Sequence, residues 1–394
     1  MSIYELLIIP AVFFIFFVFG GIISKNHTIK NDINTKNRFE TIDGIRGIAA
    51  ILVVTHHSIL ANINAITGSW KFPSASESNI LTLTYFKNSG PVGVILFFMI
   101  TGFLFSGKII KSGGKIDYIN FYIKRFLRIA PLCYFSVVVM LIISLPLTFN
   151  TPIDILDAFR KFFGWLCFYF LKYEGFSLEY PYSRLNGGVF WTLAIEWKVY
   201  FLMPVISVFI SKKRNAAIFS CTTIAISWII SQAGLITEMD SSIIISFALG
   251  TMSYVISSIT SISSNINKPI YSIATIIVLG YELLFAGSIY SPIHAMILFI
   301  AFVIMSSGNS VFGVIKNKPI KTIGVISYSI YIMHCIILNL VNRFMAPLVD
   351  YVWITILSSI LIVIVCSCTY IYVERPFLKE SKNRKEIHQE VPAK

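Results

Sequence analysis

Long apolar runs separated by short polar segments make up most of the chain. They occupy residues 3–23, 45–61, 91–106, 129–148, 189–210, 215–233, 241–258, 271–287, 291–307, 323–341 and 351–373. An α-helix needs about 20 apolar residues to cross the hydrocarbon core of a bilayer. The pattern therefore predicts an all-α, polytopic integral membrane protein with about eleven transmembrane helices.

The segments around these runs complete the predicted organisation. Residues 1–40 are predicted to form an N-terminal transmembrane helix with a cytoplasmic linker, 41–378 the main membrane domain, and 379–394 a polar cytoplasmic tail. The first run lacks the basic start and the small-residue cleavage site of a signal peptide, so we expect it to be retained. A weaker run, 154–172, contains several charged residues and is predicted to be an interfacial or re-entrant helix.

Composition excludes the main alternatives to a membrane protein. Hydrophobic residues make up 56% of the 394 residues and charged residues 13%. A soluble domain has about 25% charged residues, and a disordered chain has few aromatic residues. The 33 Phe and 19 Tyr residues exclude the second class.

The distribution of basic residues predicts an orientation. The net charge is +13, and 24 of the 32 Lys and Arg residues lie in alternate connecting segments and the C-terminal tail. Cytoplasmic loops of membrane proteins carry an excess of Lys and Arg. We therefore expect the N-terminus outside, the C-terminus in the cytoplasm, and a location in the inner (cytoplasmic) membrane. Topology accounts for the positive charge, so no nucleic-acid partner is expected.

Titratable side chains within the predicted spans are candidates for function, because a charge in a bilayer is costly. Arg46 and His57 are eleven residues apart and so lie on one face of one helix. Counting along their helices places His57, His334 and Glu196 at similar depths. Two imidazoles and a carboxylate at one level form a possible catalytic group. The alternative is a set of hydrogen-bonded helix contacts, which we favour for His56 and His294, whereas Glu282 has no evident partner.

Six short motifs in a fixed order resemble those of the membrane acyltransferase 3 family. They are residues 43–50 running on to His57, 93–104, 121–131, 191–196 with Tyr200, 326–334 and 374–377. The resemblance implies a ten-helix core, to which the helix 3–23 is additional. It also implies transfer of an acyl group, usually acetyl, from cytoplasmic acyl-CoA to a hydroxyl of an extracytoplasmic glycan. Lys124 stands where the family commonly has Arg, and Thr101 where it commonly has Ser.

The motif residues suggest roles in such a reaction. A histidine titrates near neutral pH, so His57 is proposed as the general base or as a transient acyl carrier, and these alternatives stay open. Glu196 is expected to orient its imidazole, as the acidic residue does in hydrolase triads. Four basic residues are expected to bind the phosphates of acyl-CoA, with Arg46 also assigned to the catalytic group. They are Arg46, Lys124, Arg125 and Arg128.

Candidates for the acceptor side are less specific. His334 and Ser329 could hold the acceptor or the thioester. Tyr182, Arg184 and Trp191 lie in or beside a predicted outer loop and could bind sugars, or could equally form an aromatic belt at the interface. The expected partners are the bilayer and a cell-surface polysaccharide or lipid-linked glycan, such as O-antigen, lipopolysaccharide or exopolysaccharide.

No bound cofactor or metal ion is expected, because a thioester donor is already activated. The six cysteines fall in apolar runs without metal-site spacing and are read as buried hydrophobic residues. The alternative function is a proton- or ion-coupled transporter, because intramembrane His and Glu residues also form proton relays. No convincing internal repeat supports the inverted-repeat transporter plan.

Overall fold

The computed structural model describes residues 3–35, 39–148, 163–168, 185–259, 265–346 and 348–379. The regular elements in these ranges are all helical. The α-helices are α1 (Ile8–Ile23), α2 (His27–Ile33), α3 (Glu40–Thr67), α4 (Ile80–Lys111), α5 (Tyr118–Thr148), α6 (Phe190–Phe209), α7 (Lys213–Gln232), α8 (Glu238–Ser257), α9 (Pro269–Leu284), α10 (Pro292–Ser306), α11 (Lys318–Val325), α12 (Ser327–Met345) and α13 (Tyr351–Thr369). A π-helical turn, Tyr370–Glu374, continues α13.

The predicted all-α membrane architecture is confirmed, but the count of eleven spans is not. Within the described ranges, seven helices are long and apolar enough to cross a membrane, or eight if the bent pair α11 and α12 forms one span. Helices α9 and α10 have 16 and 15 residues. At 1.5 Å per residue they are shorter than a bilayer core of about 30 Å. Helix α7 has the length but is not among the sufficiently apolar helices.

The predicted run 323–341 is broken rather than straight. Helix α11 ends at Val325, α12 begins at Ser327, and their axes differ by 74°. His334 is therefore only seven residues into its own helix, about 10 Å along the axis. The depth predicted for His334 assumed one continuous helix. That prediction is wrong, because the direction of the chain changes at Ile326.

Helix α3 lies at the centre of the bundle and packs against α4, α11 and α12. Two glycines let α3 and α11 touch backbone to backbone. A Cβ on Gly47 would lie 2.4 Å from the carbonyl oxygen of Ile320, and one on Gly324 would lie 1.8 Å from that of Asp43. This close approach places Arg46 beside the break between α11 and α12.

The N-terminal segment is tied to the C-terminal helix. Asn26 caps α2 by accepting hydrogen bonds from the backbone of Thr28 and Ile29. Asp32 then forms an ion pair with Arg375, with 2.5 Å between Oδ2 and Nε, and accepts a hydrogen bond from the hydroxyl of Tyr370. This contact fixes α2 to the C-terminal end of α13.

Two other predictions, on the re-entrant run and on the cysteines, can be compared with the structure. Residues 163–166 of the predicted re-entrant run are helical, and most of 154–172 and all of 380–394 lie outside the described residues. The reading of all six cysteines as buried is wrong for three of them. Cys133, Cys335 and Cys366 are buried, Cys167 is partly exposed, and Cys221 and Cys368 are exposed.

Candidate active site

A pair of histidines joins α3 to α12. Nδ1 of His57 lies 3.1 Å from Nε2 of His334. Nδ1 of His334 lies 2.9 Å from the carbonyl oxygen of Ile330 and 3.0 Å from that of Tyr331. Carbonyl oxygens only accept, so Nδ1 of His334 carries the hydrogen and its Nε2 is an acceptor when the ring is neutral. The break at Ile326 and the packing of α12 against α3 bring the two rings together.

The same reasoning fixes the proton of His57. Its Nδ1 also lies 3.0 Å from the carbonyl oxygen of Val53, one turn earlier in α3. Both neighbours of this nitrogen, Val53 and His334, are acceptors, so the neutral imidazole carries its hydrogen on Nδ1. Nε2 of His57 is then left with a lone pair, which is the form that a general base requires.

The surroundings of the pair contain residues that the sequence did not single out. Sγ of Cys335 lies 3.2 Å from Nε2 of His334, and the ring of Trp70 is centred 6.3 Å from that of His57. The backbone of Gly187 packs against the side chains of both Cys335 and His57. A Cβ at this position would be 2.4 Å from Sγ of Cys335 and 3.3 Å from Cδ2 of His57. His334 and Cys335 are buried, whereas His57 is partly exposed.

The other intramembrane histidines make structural contacts. Nδ1 of His56 lies 2.7 Å from the carbonyl oxygen of Phe86 on α4. Nδ1 of His294 lies 3.0 Å from Oε2 of Glu282, which is fully buried. The expectation that Glu282 has no partner is therefore wrong, because α9 and α10 pack side by side and bring His294 to it.

A first cavity has an empty volume of about 740 Å³, which includes open solvent. Arg46, Arg128, Glu196 and Tyr331 are among its lining residues. The ring of Tyr331 is centred 6.2 Å from that of His334, so this lining residue lies beside the histidine pair.

Glu196 faces this cavity and accepts a hydrogen bond from the hydroxyl of Tyr200. Among the described residues, the side-chain partner of Nδ1 of His57 is His334. The structure therefore does not bring Glu196 into the expected position beside the His57 imidazole. Equal depth did not determine the pairing, because the lateral packing of α12 places His334 there instead.

A second, wider cavity is strongly basic, with an empty volume of about 1410 Å³. All four predicted donor-binding residues line it, together with two further cations and three carboxylates. The cations are Arg46, Lys124, Arg125, Arg128, Arg375 and Lys379, and the carboxylates are Asp32, Asp43 and Glu374. Arg46 and Arg128 line both cavities and so mark their junction.

Aromatic rings hold one of these cations in place. The guanidinium of Arg125 is 4.7 Å from the ring centre of Phe105 and 5.6 Å from that of Tyr200. Its Nε is buried and has no hydrogen-bond partner in the described part of the chain. Cation–π contacts orient the group, and its unpaired donor can serve an anionic ligand.

The remaining predicted site residues lie elsewhere. The hydroxyl of Ser329 donates to Oε2 of the buried Glu374, at 2.9 Å, on the side of the basic cavity. Trp191 packs against the rings of Phe98 and Tyr290. Tyr182 and Arg184 lie outside the described residues.

Comparison with known proteins gives a consistent pattern. A family model described as an acyltransferase domain matches residues 39–371. The peptidoglycan O-acetyltransferase OatA of Listeria monocytogenes is 24% identical over 86% of this chain and 56% of its own length. The putative peptidoglycan O-acetyltransferase YrhL of Bacillus subtilis is 27% identical over 49% of this chain and 29% of its own length. Nodulation protein 10 of Rhizobium leguminosarum is 29% identical over 37% of this chain and 41% of its own length.

The chain spans about half the length of the OatA proteins that it matches. No solved structure matches the chain.

Proposed function

Because the acyltransferase model matches most of the chain, the protein belongs to the membrane acyltransferase 3 family, and we propose that it transfers an acetyl group from cytoplasmic acetyl-CoA to a hydroxyl of a cell-wall glycan. Two relatives are named peptidoglycan O-acetyltransferases. Peptidoglycan is therefore the favoured acceptor, in place of the O-antigen or exopolysaccharide expected from the sequence. Family membership favours this enzyme over the proton- or ion-coupled transporter.

The observation that carries the proposal is the junction of the two cavities at Arg46 and Arg128. The phosphates of coenzyme A suit the basic cavity, because Arg binds phosphate through two parallel charge-assisted hydrogen bonds. The pantetheine arm would then pass the two arginines and place the thioester in the first cavity. Tyr331 lines that cavity, and its ring is centred 6.2 Å from that of His334.

His57 is the proposed general base. Its Nε2 takes the proton of the acceptor hydroxyl while the hydroxyl oxygen forms a bond to the acyl carbon. The carbon–sulfur bond breaks, and the proton passes from His57 to the leaving thiolate, so that acyl-CoA and alcohol become ester and free coenzyme A. A transient acyl group on Nε2 of His57 would use the same lone pair.

His334 is the proposed partner of His57 during this step. When Nε2 of His57 is protonated, its Nδ1–H still points at an acceptor 3.1 Å away. That hydrogen bond is then charge-assisted and stronger than in the neutral pair. Glu196 is proposed to complete the first cavity beside the two arginines rather than to hold the imidazole. The proposed orientation, with the N-terminus outside and the C-terminus in the cytoplasm, opens the basic cavity to the cytoplasm where acyl-CoA is made.

The acceptor can be tested in cells that lack other peptidoglycan O-acetyltransferases. Mild alkali releases ester-bound acetate, which is then measured in purified peptidoglycan and in the remaining envelope glycans. Cells making the wild-type protein should yield acetate from peptidoglycan, and cells making His57→Ala should not. Acetate confined to another glycan would contradict the assignment of the acceptor but not of the chemistry.

A further inference from the structure

Three potential metal ligands converge at the centre of the candidate active site. They are His57, His334 and Cys335, whose ligand atoms all lie within 4.8 Å of one another. We propose that these three side chains form a binding site for a thiophilic divalent cation such as Zn²⁺, and that its occupancy inhibits acyl transfer. The metal binding is independent of the proposed function, whereas the inhibition rests on it.

The distances suit tetrahedral coordination. Zinc binds His nitrogen at about 2.0–2.1 Å and Cys sulfur at about 2.3 Å, so tetrahedral angles require about 3.3 Å between nitrogens and about 3.6 Å between nitrogen and sulfur. The structure has 3.1 Å between the two imidazole nitrogens and 3.2 Å between Nε2 of His334 and Sγ of Cys335. The third pair, the His57 nitrogen and Sγ of Cys335, lies within 4.8 Å and would have to close to about 3.6 Å around a bound metal. A set of two His and one Cys leaves the fourth position of zinc for water.

The outer contacts of His334 favour a metal in this position. Metal-binding histidines usually donate their second N–H to a carbonyl or carboxylate, which fixes the ring and its tautomer. Nδ1 of His334 donates in this way to the carbonyl oxygens of Ile330 and Tyr331, and its Nε2 lone pair points into the cluster. His57 is the partly exposed member of the three.

Coordination would remove the proposed base. For Nδ1 of His57 to bind the metal, its hydrogen must move to Nε2, which is the atom that the reaction needs as an acceptor. Cys335 binds as the thiolate and releases its proton to solvent. A metal at this position therefore occupies Nδ1 and protonates Nε2, so the histidine cannot accept a proton from the hydroxyl.

Co²⁺ provides a direct test of binding, because a cysteine thiolate bound to Co²⁺ gives a near-ultraviolet charge-transfer band. The full-length protein is purified in detergent with Cys221→Ser and Cys368→Ser, which remove the two exposed thiols. The band should saturate at about one equivalent of Co²⁺ and disappear when Zn²⁺ is added. It should be absent in Cys335→Ser and retained in the matched buried control Cys133→Ser. Size-exclusion elution verifies that each variant is folded.

Two results would overturn the site: no band in the parent protein, or the same band in Cys335→Ser. Inhibition is tested separately with acetyl transfer. The Zn²⁺ concentration for half-inhibition should rise by more than about tenfold in Cys335→Ser, since even the outer partners of a metal ligand contribute that much to affinity. A Co²⁺ band without inhibition by Zn²⁺ would leave the metal site standing and overturn the inhibition and the role of His57 as base.

Discussion

Replacing His334 should slow the chemical step without weakening the binding of the donor. His334 accepts the Nδ1–H of His57, and this hydrogen bond becomes charge-assisted when His57 takes up a proton. Such a bond contributes about 1.5–3 kcal/mol, and each 1.4 kcal/mol in the barrier changes the rate about tenfold. We therefore expect His334→Ala to lower kcat roughly ten- to a hundredfold. The loss should be incomplete, because the carbonyl oxygen of Val53 remains as an acceptor for His57.

Initial rates of acetyl transfer by the purified protein, measured against acetyl-CoA concentration, separate kcat from KM. His334→Gln retains an acceptor oxygen and should recover part of the lost kcat, which a purely structural role would not produce. His56→Gln is the matched control, because that histidine contacts the backbone of Phe86 instead. An unchanged kcat in His334→Ala, or a change in KM alone, would refute the reasoning. A loss as complete as in His57→Ala would mean that His334 is itself the base.

Three further predictions concern donor binding and packing. Arg46→Lys should raise the KM for acetyl-CoA nearly as much as Arg46→Ala, because Lys lacks the bidentate fork; full activity in Arg46→Lys would show that charge alone suffices. Added salt should raise the KM of the wild type for acetyl-CoA, since salt screens the contacts with phosphate, and it should raise the KM of Arg128→Ala less steeply. A KM that does not depend on salt would contradict a basic donor site. Gly324→Ala places a Cβ 1.8 Å from the carbonyl oxygen of Asp43 and should destabilise the protein by about 1–3 kcal/mol. Gly280→Ala meets nothing within 4 Å and should stabilise it by up to about 1 kcal/mol; equal shifts of Tm in detergent would refute the packing argument.

Helical periodicity predicts which residues share a face when they belong to the same helix. The spacing of Arg46 and His57 placed them on one face of a helix, and α3 carries both toward the site. The four basic residues of the donor prediction meet in one cavity because they lie near one end of α3 and α5. Their binding of acyl-CoA stays a prediction.

Contacts between helices could not be predicted from the sequence, because periodicity along one helix does not specify which helices pack against it. Glu196 and His334 were both placed near the depth of His57, and only the packing of α12 on α3 selects His334. The break at Ile326 lies within a continuous apolar run, with Gly324 as the only nearby signal. Cys335 gave no metal-site spacing, because its partner His57 is far away along the chain.

The central claim is that the protein transfers an acetyl group from acetyl-CoA to a cell-wall glycan with His57 as the required base. The most direct test follows radiolabel from acetyl-CoA in membrane vesicles supplied with peptidoglycan, for the wild type and for His57→Ala at equal membrane abundance. We expect alkali-labile label in the glycan with the wild type and none with His57→Ala. Equal labelling by both proteins would contradict the role of His57, and no labelling by either would contradict the proposed donor and acceptor.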